Sequence, residues 1–168
     1  MNASADYWIA KLQMTKHPEG GAFREVYRSS LNIEKENLPG NFKGSRNVCT
    51  SIYFLLKRNE FSAFHRIASD ELWHFYFGNA LMIYEIESLT GTLKTHKLGN
   101  NFENGEVFQT VIKAGNWFAS AVNDNGEYAL VGCTVAPGFD FADFELAERN
   151  KLIKDHPQHK DLIISLTR

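Results

Sequence analysis

The sequence predicts an all-β sandwich or barrel. About nine short segments rich in β-branched and aromatic residues follow one another, and turn-forming residues separate them at roughly ten-residue spacing. Aromatic residues make up 13% of the chain, and such side chains favour strands. Helical patterns occur only towards the two ends. A chain of 168 residues is expected to form one domain, which here is taken as residues 1–168.

Helices are predicted at both ends of the chain. Ser4 has the side chain of a good N-cap for a helix over residues 5–12. After the last predicted strand come two short amphipathic segments, one ending near residue 155 before Pro157 and the other over residues 158–166. Segments of this kind are expected to pack on the outside of the β core.

The predicted strands alternate with turns rich in Gly, Asn and Asp. Residues 30–46 are polar and interrupted by Pro39 and Gly40, so they predict a long surface loop of the kind that often carries function. The strands are expected at residues 23–29, 47–56, 61–67, 71–77, 81–87, 92–98, 107–112, 117–122 and 128–135.

Charge and hydropathy argue against several kinds of partner. The net charge is -2 with no basic patch, so no nucleic-acid partner is expected. The longest apolar run, residues 52–56, is far too short to span a membrane. The first residues lack the basic and apolar regions of a signal peptide, so we expect a cytoplasmic protein in which Cys49 and Cys133 stay reduced.

Residues 62–78 contain the candidate site, because they place two ionisable side chains on adjacent strands of one hairpin. Strand residues alternate between faces, so His65 and Glu71 are expected to face the same interior. Ionisable groups are costly to bury unless they are used or paired, and burial perturbs their pKa values. We therefore predict His65 and Glu71 as catalytic residues. The alternative is that His65 is a hydrogen-bonded core histidine and Glu71 pairs with Arg24 or Arg66.

The same hairpin resembles the first motif of the cupin superfamily, a His-x-His pair followed by a Glu and, after six intervening residues, a Gly. His65, Glu71 and Gly78 stand at three of these positions, and Ile67 stands at the second His. In the second cupin motif, Pro-x-Gly-x-x-His, the position of the His is held by Phe118.

Three further stretches, residues 17–21, 50–56 and 134–141, resemble the "cupin 5" family of uncharacterised proteins. The resemblance covers nearly the whole chain. It implies a cupin-type double-stranded β-helix, or jelly roll, with an N-terminal helix and short C-terminal helices. It implies no particular reaction, because that family has no general activity assigned to it.

A cupin metal site uses three His and one Glu, and this chain keeps only His65 and Glu71 of that set. Two ligands in an aromatic interior make a poor transition-metal site, so we expect no metal and no other cofactor. His74 is turned away from Glu71 by strand alternation and would need a β-bulge to join it.

Without the metal ligands, the set of His65 and Glu71 resembles the site of the metal-free cupins, among them the dTDP-sugar 3,5-epimerases. Those enzymes use a His as the base, which an Asp orients, and a Tyr as the acid. For this chain the resemblance implies His65 as the base, since its ordinary pKa lies near neutrality. Its partner would be Glu71 or Asp140, and the acid would be Tyr53 or Tyr128.

Other side chains are expected to bind a small molecule inside the barrel. Arg24 and Arg28 share a strand face, and they either clamp a carboxylate or phosphate, belong to a solvated face, or pair with Glu25 or Glu19. Aromatic side chains would supply apolar walls. The expected ligand-binding residues are Arg24, Tyr53, Trp73, Phe75, Phe118, Thr134 and Asp140.

These observations favour a small-molecule-binding protein that acts as a metal-independent isomerase or epimerase on a sugar-type substrate. One alternative is a binding or sensing module without catalysis. A second is a metal-dependent oxygenase or lyase with a reduced ligand set. We also expect a homodimer, because an open jelly roll leaves strand edges that are normally covered or paired.

Overall fold

The computed structural model describes residues 3–123 and 126–168. The helices among them are α1 (Ala5–Lys11), α2 (Arg149–Asp155) and α3 (Lys160–Ser165), and 3-10 turns cover Lys35–Asn37, Phe102–Asn104, Phe141–Asp143 and Pro157–His159. The strands are β1 (Thr15–Lys16), β2 (Ala22–Arg28), β3 (Asn32–Ile33), β4 (Arg46–Asn47), β5 (Thr50–Lys57), β6 (Phe61–Arg66), β7 (Asp70–Gly78), β8 (Leu81–Ile86), β9 (Leu93–Leu98), β10 (Gln109–Ile112), β11 (Trp117–Val122), β12 (Tyr128–Ala136) and β13 (Glu145–Leu146).

The long strands form two sheets that face each other. One has the order β1-β2-β5-β12-β7-β10 and the other the order β13-β6-β11-β8-β9, with antiparallel pairing throughout. This confirms the predicted jelly roll and its terminal helices. The predicted hairpin over residues 62–78 is wrong, because β6 and β7 do not pair with each other: the chain crosses from one sheet to the other between them. The predicted loop over residues 30–46 contains strand β3 and the start of β4, which pair with each other. No helix among the described residues is both long and apolar enough to cross a membrane.

The main core lies between the sheets, where alternate strand residues point inwards. Its largest fully buried side chains include Phe54, Trp73 and Phe118. Among the described residues, two further apolar clusters attach helices to the sheets. One joins the C-terminal helices to the second sheet through Leu152 and Ile163. The other seats α1 on the first sheet, where the Trp8 indole N–H donates to the Tyr128 hydroxyl at 3.1 Å.

Helix α1 begins where the sequence predicts. The Ser4 hydroxyl accepts a hydrogen bond from the Tyr7 backbone N–H at 3.2 Å, which satisfies one of the free donors of the first turn. The confirmed N-cap fixes where the chain enters the fold.

Two β-bulges of the first sheet change which side chains face the interior. On β2, Glu25 pairs with Ile52 and Tyr27 with Ser51, so one residue is extra on β2 and the alternation shifts there. A second register shift on β7 lies opposite residues 130–131, and beyond it the Phe77 ring packs on Trp8 of α1 at 5.6 Å. Both shifts alter predictions based on strict alternation.

Candidate functional site

A cavity of about 210 Å³ lies between the inner faces of the two sheets. Strands β2, β5, β6, β7 and β12 line it together with residues 17–19 and 139–141. Buried Glu19, His65 and Glu71 form its closed end, whereas exposed side chains form its mouth. The ionisable side chains along its wall are His17, Glu19, Glu25, Arg28, His65, Glu71 and Asp140.

Two glycines turn the chain so that Glu19 enters the closed end. Gly20 and Gly21 have φ values of 125° and 72°, which L-amino acids with side chains rarely adopt. A Cβ atom on Gly20 would lie 2.1 Å from the Phe61 backbone oxygen, and one on Gly21 would lie 2.6 Å from that of Leu55. The turn is closed by the His17 N–H, which donates to the Gly21 carbonyl at 3.0 Å.

Glu19 and His65 form the central contact of the closed end. The His65 Nε2 atom lies 3.1 Å from Glu19 Oε2, and the Ser62 hydroxyl donates to Glu19 Oε1 at 2.8 Å. Both partners are almost fully buried, with 3% of His65 and 6% of Glu19 exposed. Burial raises the pKa of Glu19, and burial lowers the pKa of His65 to about 4.

The hydrogen-bond partners of His65 determine where its protons lie. Its Nδ1 atom is 2.8 Å from the Ala63 carbonyl oxygen, which can only accept, so Nδ1 carries a proton. For Nε2 and Glu19 to form a hydrogen bond, one of the two must carry a proton. Either a protonated, neutral Glu19 donates to the neutral ring, or a charged ring donates to the Glu19 carboxylate. In both states one proton lies between the two side chains.

His17 completes this cluster from the other side of Glu19. Its Nδ1 atom lies 3.5 Å from Glu19 Oε2. Burial lowers the pKa of His17, the nearby Glu19 carboxylate raises it, and His65 lowers it further. His17 therefore stays mostly neutral, and Glu19 is shared by two imidazole rings.

Glu71 is a second buried carboxyl group at the closed end, 8% exposed. Burial raises the pKa of Glu71 to about 8, and the nearby Glu19 charge contributes in the same direction. The Cys133 thiol and the Trp73 indole N–H offset part of this shift, although the indole N–H lies outside ordinary hydrogen-bond geometry. At neutral pH Glu71 is mostly protonated and can donate a hydrogen bond into the cavity.

The bulge on β2 brings Arg28 to the mouth of the cavity, where the protein itself uses its donors. The guanidinium contacts Glu25 bidentately, at 3.1 Å from Nε and 2.7 Å from Nη2. Its Nη1 donates to Asn47 Oδ1 at 2.8 Å and to the Phe139 carbonyl at 3.1 Å. Of the alternatives for this arginine, the structure therefore shows the pair with Glu25.

Three of the predicted site residues, His65, Glu71 and Asp140, line the cavity together. At the mouth, Asp140 Oδ1 accepts a hydrogen bond from the Ala142 N–H at 2.8 Å. Trp73 and Phe118 are buried in the core behind the residues that line the cavity. The Phe118 ring centroid lies 4.0 Å from that of His65, so Phe118 packs against the histidine and supports it.

The expectation that Arg24, Tyr53, Thr134 and Phe75 line the cavity is corrected by the structure. Strand alternation sends Ile52 and Phe54 inwards, so Tyr53 between them faces outwards and packs on Tyr76 at 5.8 Å.

Thr134 shares a hydrogen bond with Ser51 at 3.3 Å, on the side opposite to Cys133 and Val135. Arg24 is exposed, and Phe75 packs against the core and borders another hollow.

The two other candidates for acid/base roles also lie elsewhere. Tyr128 donates its hydroxyl proton to the Ala3 carbonyl at 2.5 Å and contacts α1. His74 pairs with Gly132 on the outer side, because the bulge of β7 comes after it in the chain. Neither residue lines the cavity.

Sequence reasoning missed Glu19 and His17 as site residues. The Gly-Gly pair was a visible signal, since two adjacent glycines mark a turn that brings the residues before it close to another part of the backbone. Which part they meet depends on the packing of this turn against β6, which no local pattern contains.

The residues present do not fit a cupin metal site. Ile67 and Phe118, at two of the ligand positions, carry no ligand atom, and His65 Nε2 is engaged with Glu19. Among the described residues no group of three or more His, Cys, Asp and Glu side chains has metal-binding geometry.

Comparisons with known proteins agree with this fold. A solved structure of a Shewanella oneidensis protein superposes with a TM-score of 0.87 at 42% identity, covering 98% of each chain. A hypothetical protein from Leishmania major superposes with a TM-score of 0.89 at 32% identity and the same coverage. An uncharacterised protein of Saccharomyces cerevisiae is 34% identical over 150 residues, covering 84% of this chain and 74% of the yeast protein.

More distant structures share the fold alone. Oxalate decarboxylase from Bacillus subtilis superposes with a TM-score of 0.54 at 14% identity, over 90% of this chain and 36% of the enzyme. The family model described as Cupin superfamily (DUF985) matches residues 6–147. That match confirms the resemblance based on residues 17–21, 50–56 and 134–141, and the chain belongs to this family of cupins.

Proposed function

We propose that the protein is a metal-independent acid–base catalyst that moves a proton next to the carbonyl group of a small polar molecule, as an isomerase or epimerase does. The observation that carries this proposal is the pair of buried carboxyl groups, Glu19 and Glu71, at the closed end of one cavity. Their environments differ, because only Glu19 contacts imidazole rings. Two ionisable groups with different environments are a common basis for an acid and a base.

Glu19 is the proposed base. When the proton shared by the pair lies on His65, the Glu19 carboxylate is free to remove the proton from the carbon next to the carbonyl group, and the charged ring and the Ser62 hydroxyl hold that carboxylate in place. This changes the role expected for His65, whose two ring nitrogens are both engaged inside the protein. The histidine then acts as a positioning residue that stabilises the Glu19 carboxylate.

Glu71 is the proposed acid. Its proton is given to the carbonyl oxygen while Glu19 takes the carbon-bound proton, so an enediol forms without another reactant. Return of a proton to the other face of the carbon gives an epimer, and return to the neighbouring carbon gives an isomer. Both products conserve atoms and charge.

The test uses deuterium exchange. Hydroxycarbonyl compounds of about three to six carbons are incubated with the protein in heavy water, and deuterium next to the carbonyl is followed by NMR. Glu19→Gln and Glu71→Gln are each expected to lower the exchange rate by about 10²–10⁴. Glu145→Gln is the matched control, because this half-exposed carboxylate pairs with Arg66 outside the cavity. Full exchange in both active-site variants would contradict the proposal.

A binding module without catalysis is the second candidate. The engagement of both His65 nitrogens favours it, because a hydrogen-bonded core histidine performs no chemistry. A compound that binds tightly to the wild-type protein and never exchanges would support the module instead of the catalyst.

A further inference from the structure

Within the part of the chain that the structure describes, the charged groups around the cavity include no cation that is free to meet a ligand. Arg28 is the one Lys or Arg among the described lining residues, and Glu25 takes its guanidinium bidentately. Two further N–H groups of Arg28 are donated to Asn47 and to the Phe139 carbonyl. The positive charge at the mouth is therefore already neutralised by the protein.

The remaining ionisable groups are acidic or neutral. At the mouth Asp140 adds a carboxylate beside the neutral Arg28–Glu25 pair, and at the closed end there are two carboxyl groups and two histidines. An anion entering this cavity meets a mouth with a net negative charge. The negative charge at the mouth therefore opposes the entry of a carboxylate or a phosphate.

Apolar walls add to the free-energy cost of bringing an anion into the cavity. Phe23, Phe54, Phe139 and Phe141 line the cavity together with Ile52 and Val135. Removing an anion from water into such surroundings costs several kcal/mol unless a cation compensates it. A hydroxyl or carbonyl group loses less hydration and finds partners at the closed end, where Glu71 donates and Glu19 accepts.

The size of the cavity limits the ligand. An apolar cavity of about 150 Å³ holds benzene, which has six non-hydrogen atoms, so 210 Å³ corresponds to about eight such atoms at the same density. A four-carbon ketose has this size.

We propose that the cavity takes uncharged hydroxycarbonyl compounds of about four carbons and rejects carboxylates and phosphates of the same size. The carbonyl group in this inference rests on the proposed function, whereas the charge selection rests on the cavity walls alone. Phosphorylated sugars, sugar nucleotides and keto acids are then outside the substrate range.

The test compares the binding of erythrulose, erythronate and glycolaldehyde phosphate, which have eight or nine non-hydrogen atoms each, to the protein by isothermal titration calorimetry at neutral pH. Erythrulose is expected to bind at least about tenfold more tightly than either anion. Glu25→Gln removes the partner of Arg28 and should raise the affinity for erythronate, relative to erythrulose, by about tenfold. Glu145→Gln frees Arg66 outside the cavity and should leave the ratio of the two affinities unchanged.

Either anion binding wild-type protein as tightly as erythrulose would overturn the inference. So would a failure of erythrulose to bind at about 10 mM, or an unchanged affinity ratio in Glu25→Gln. Deuterium exchange separates this inference from the proposed function. Binding of erythrulose without exchange defeats the catalyst and leaves the charge selection standing, whereas exchange into a tightly bound anion defeats the charge selection alone.

Discussion

Replacing Glu71 by Gln should change how the stability of the protein depends on pH. The pKa of Glu71 is raised from 4.5 to about 8, chiefly by burial. The folded protein therefore keeps a proton that the unfolded chain releases once the pH exceeds about 4.5. The stability that this group contributes is fully present below that pH and is lost as the pH rises through about 8.

The size of the effect follows from one proton of difference between the folded and unfolded chains. Such a difference changes the free energy of unfolding by about 1.4 kcal/mol per pH unit, so wild type should lose about 3 kcal/mol relative to Glu71→Gln between about pH 5.5 and 7.5. Gln has no charge to bury at any pH. His65 has the opposite sign, because its lowered pKa removes stability as the pH falls below 6.5. It is present in both proteins and largely cancels in the comparison.

Urea unfolding of both proteins at several pH values measures this difference. Glu145→Gln controls for the loss of a carboxylate at the surface. A wild-type-minus-variant free energy that stays constant over this range would show that Glu71 is ionised in the folded protein. The reasoning about burial, and the role of Glu71 as an acid, would then both fail.

Four further results are expected. Gly20→Ala should lower the free energy of unfolding by more than about 2 kcal/mol, because a Cβ would lie 2.1 Å from a backbone carbonyl oxygen. Gly40→Ala is the control and should not lower it by this amount, since nothing lies within 4 Å of a Cβ at that position. Arg46→Ala should cost about 3–5 kcal/mol in urea unfolding, because the Asp143 side chain, 5% exposed, loses its charged partner at 2.6 Å and keeps only the Lys43 N–H; a smaller loss would mean that water reaches the pair. Light scattering should give twice the chain mass of 19.1 kDa, since apolar side chains of β2, β7 and β10 are exposed on one sheet, and a monomer mass would contradict this. Elemental analysis should find no stoichiometric transition metal, and one metal per chain that is lost in His65→Ala would contradict the metal-free site.

The local sequence pattern predicted the fold because most strands show alternating inward and outward side chains and end at a turn-forming segment. It also placed His65 and Glu71 in one interior, although not through the predicted hairpin: β6 and β7 lie in opposite sheets, and both side chains point into the space between them. It failed where a bulge shifts the alternation: the extra residue on β2 brings Arg28 to the cavity and leaves Arg24 outside. Bulges are set by packing and twist, which a single sequence does not display.

The contact between Glu19 and His65 explains how this cavity differs from a cupin metal site. In the metal-binding pattern, a histidine nitrogen in this strand needs a cation opposite it. Here a carboxyl group faces the nitrogen, and a proton lies between them. Ile67 and Phe118 stand where the pattern has two further ligands, and their apolar side chains exclude water from the same space. Burial without water raises the pKa values of the carboxyl groups of Glu19 and Glu71. The substitutions that remove a metal site thus also produce the protonated carboxyl group that the proposed acid requires.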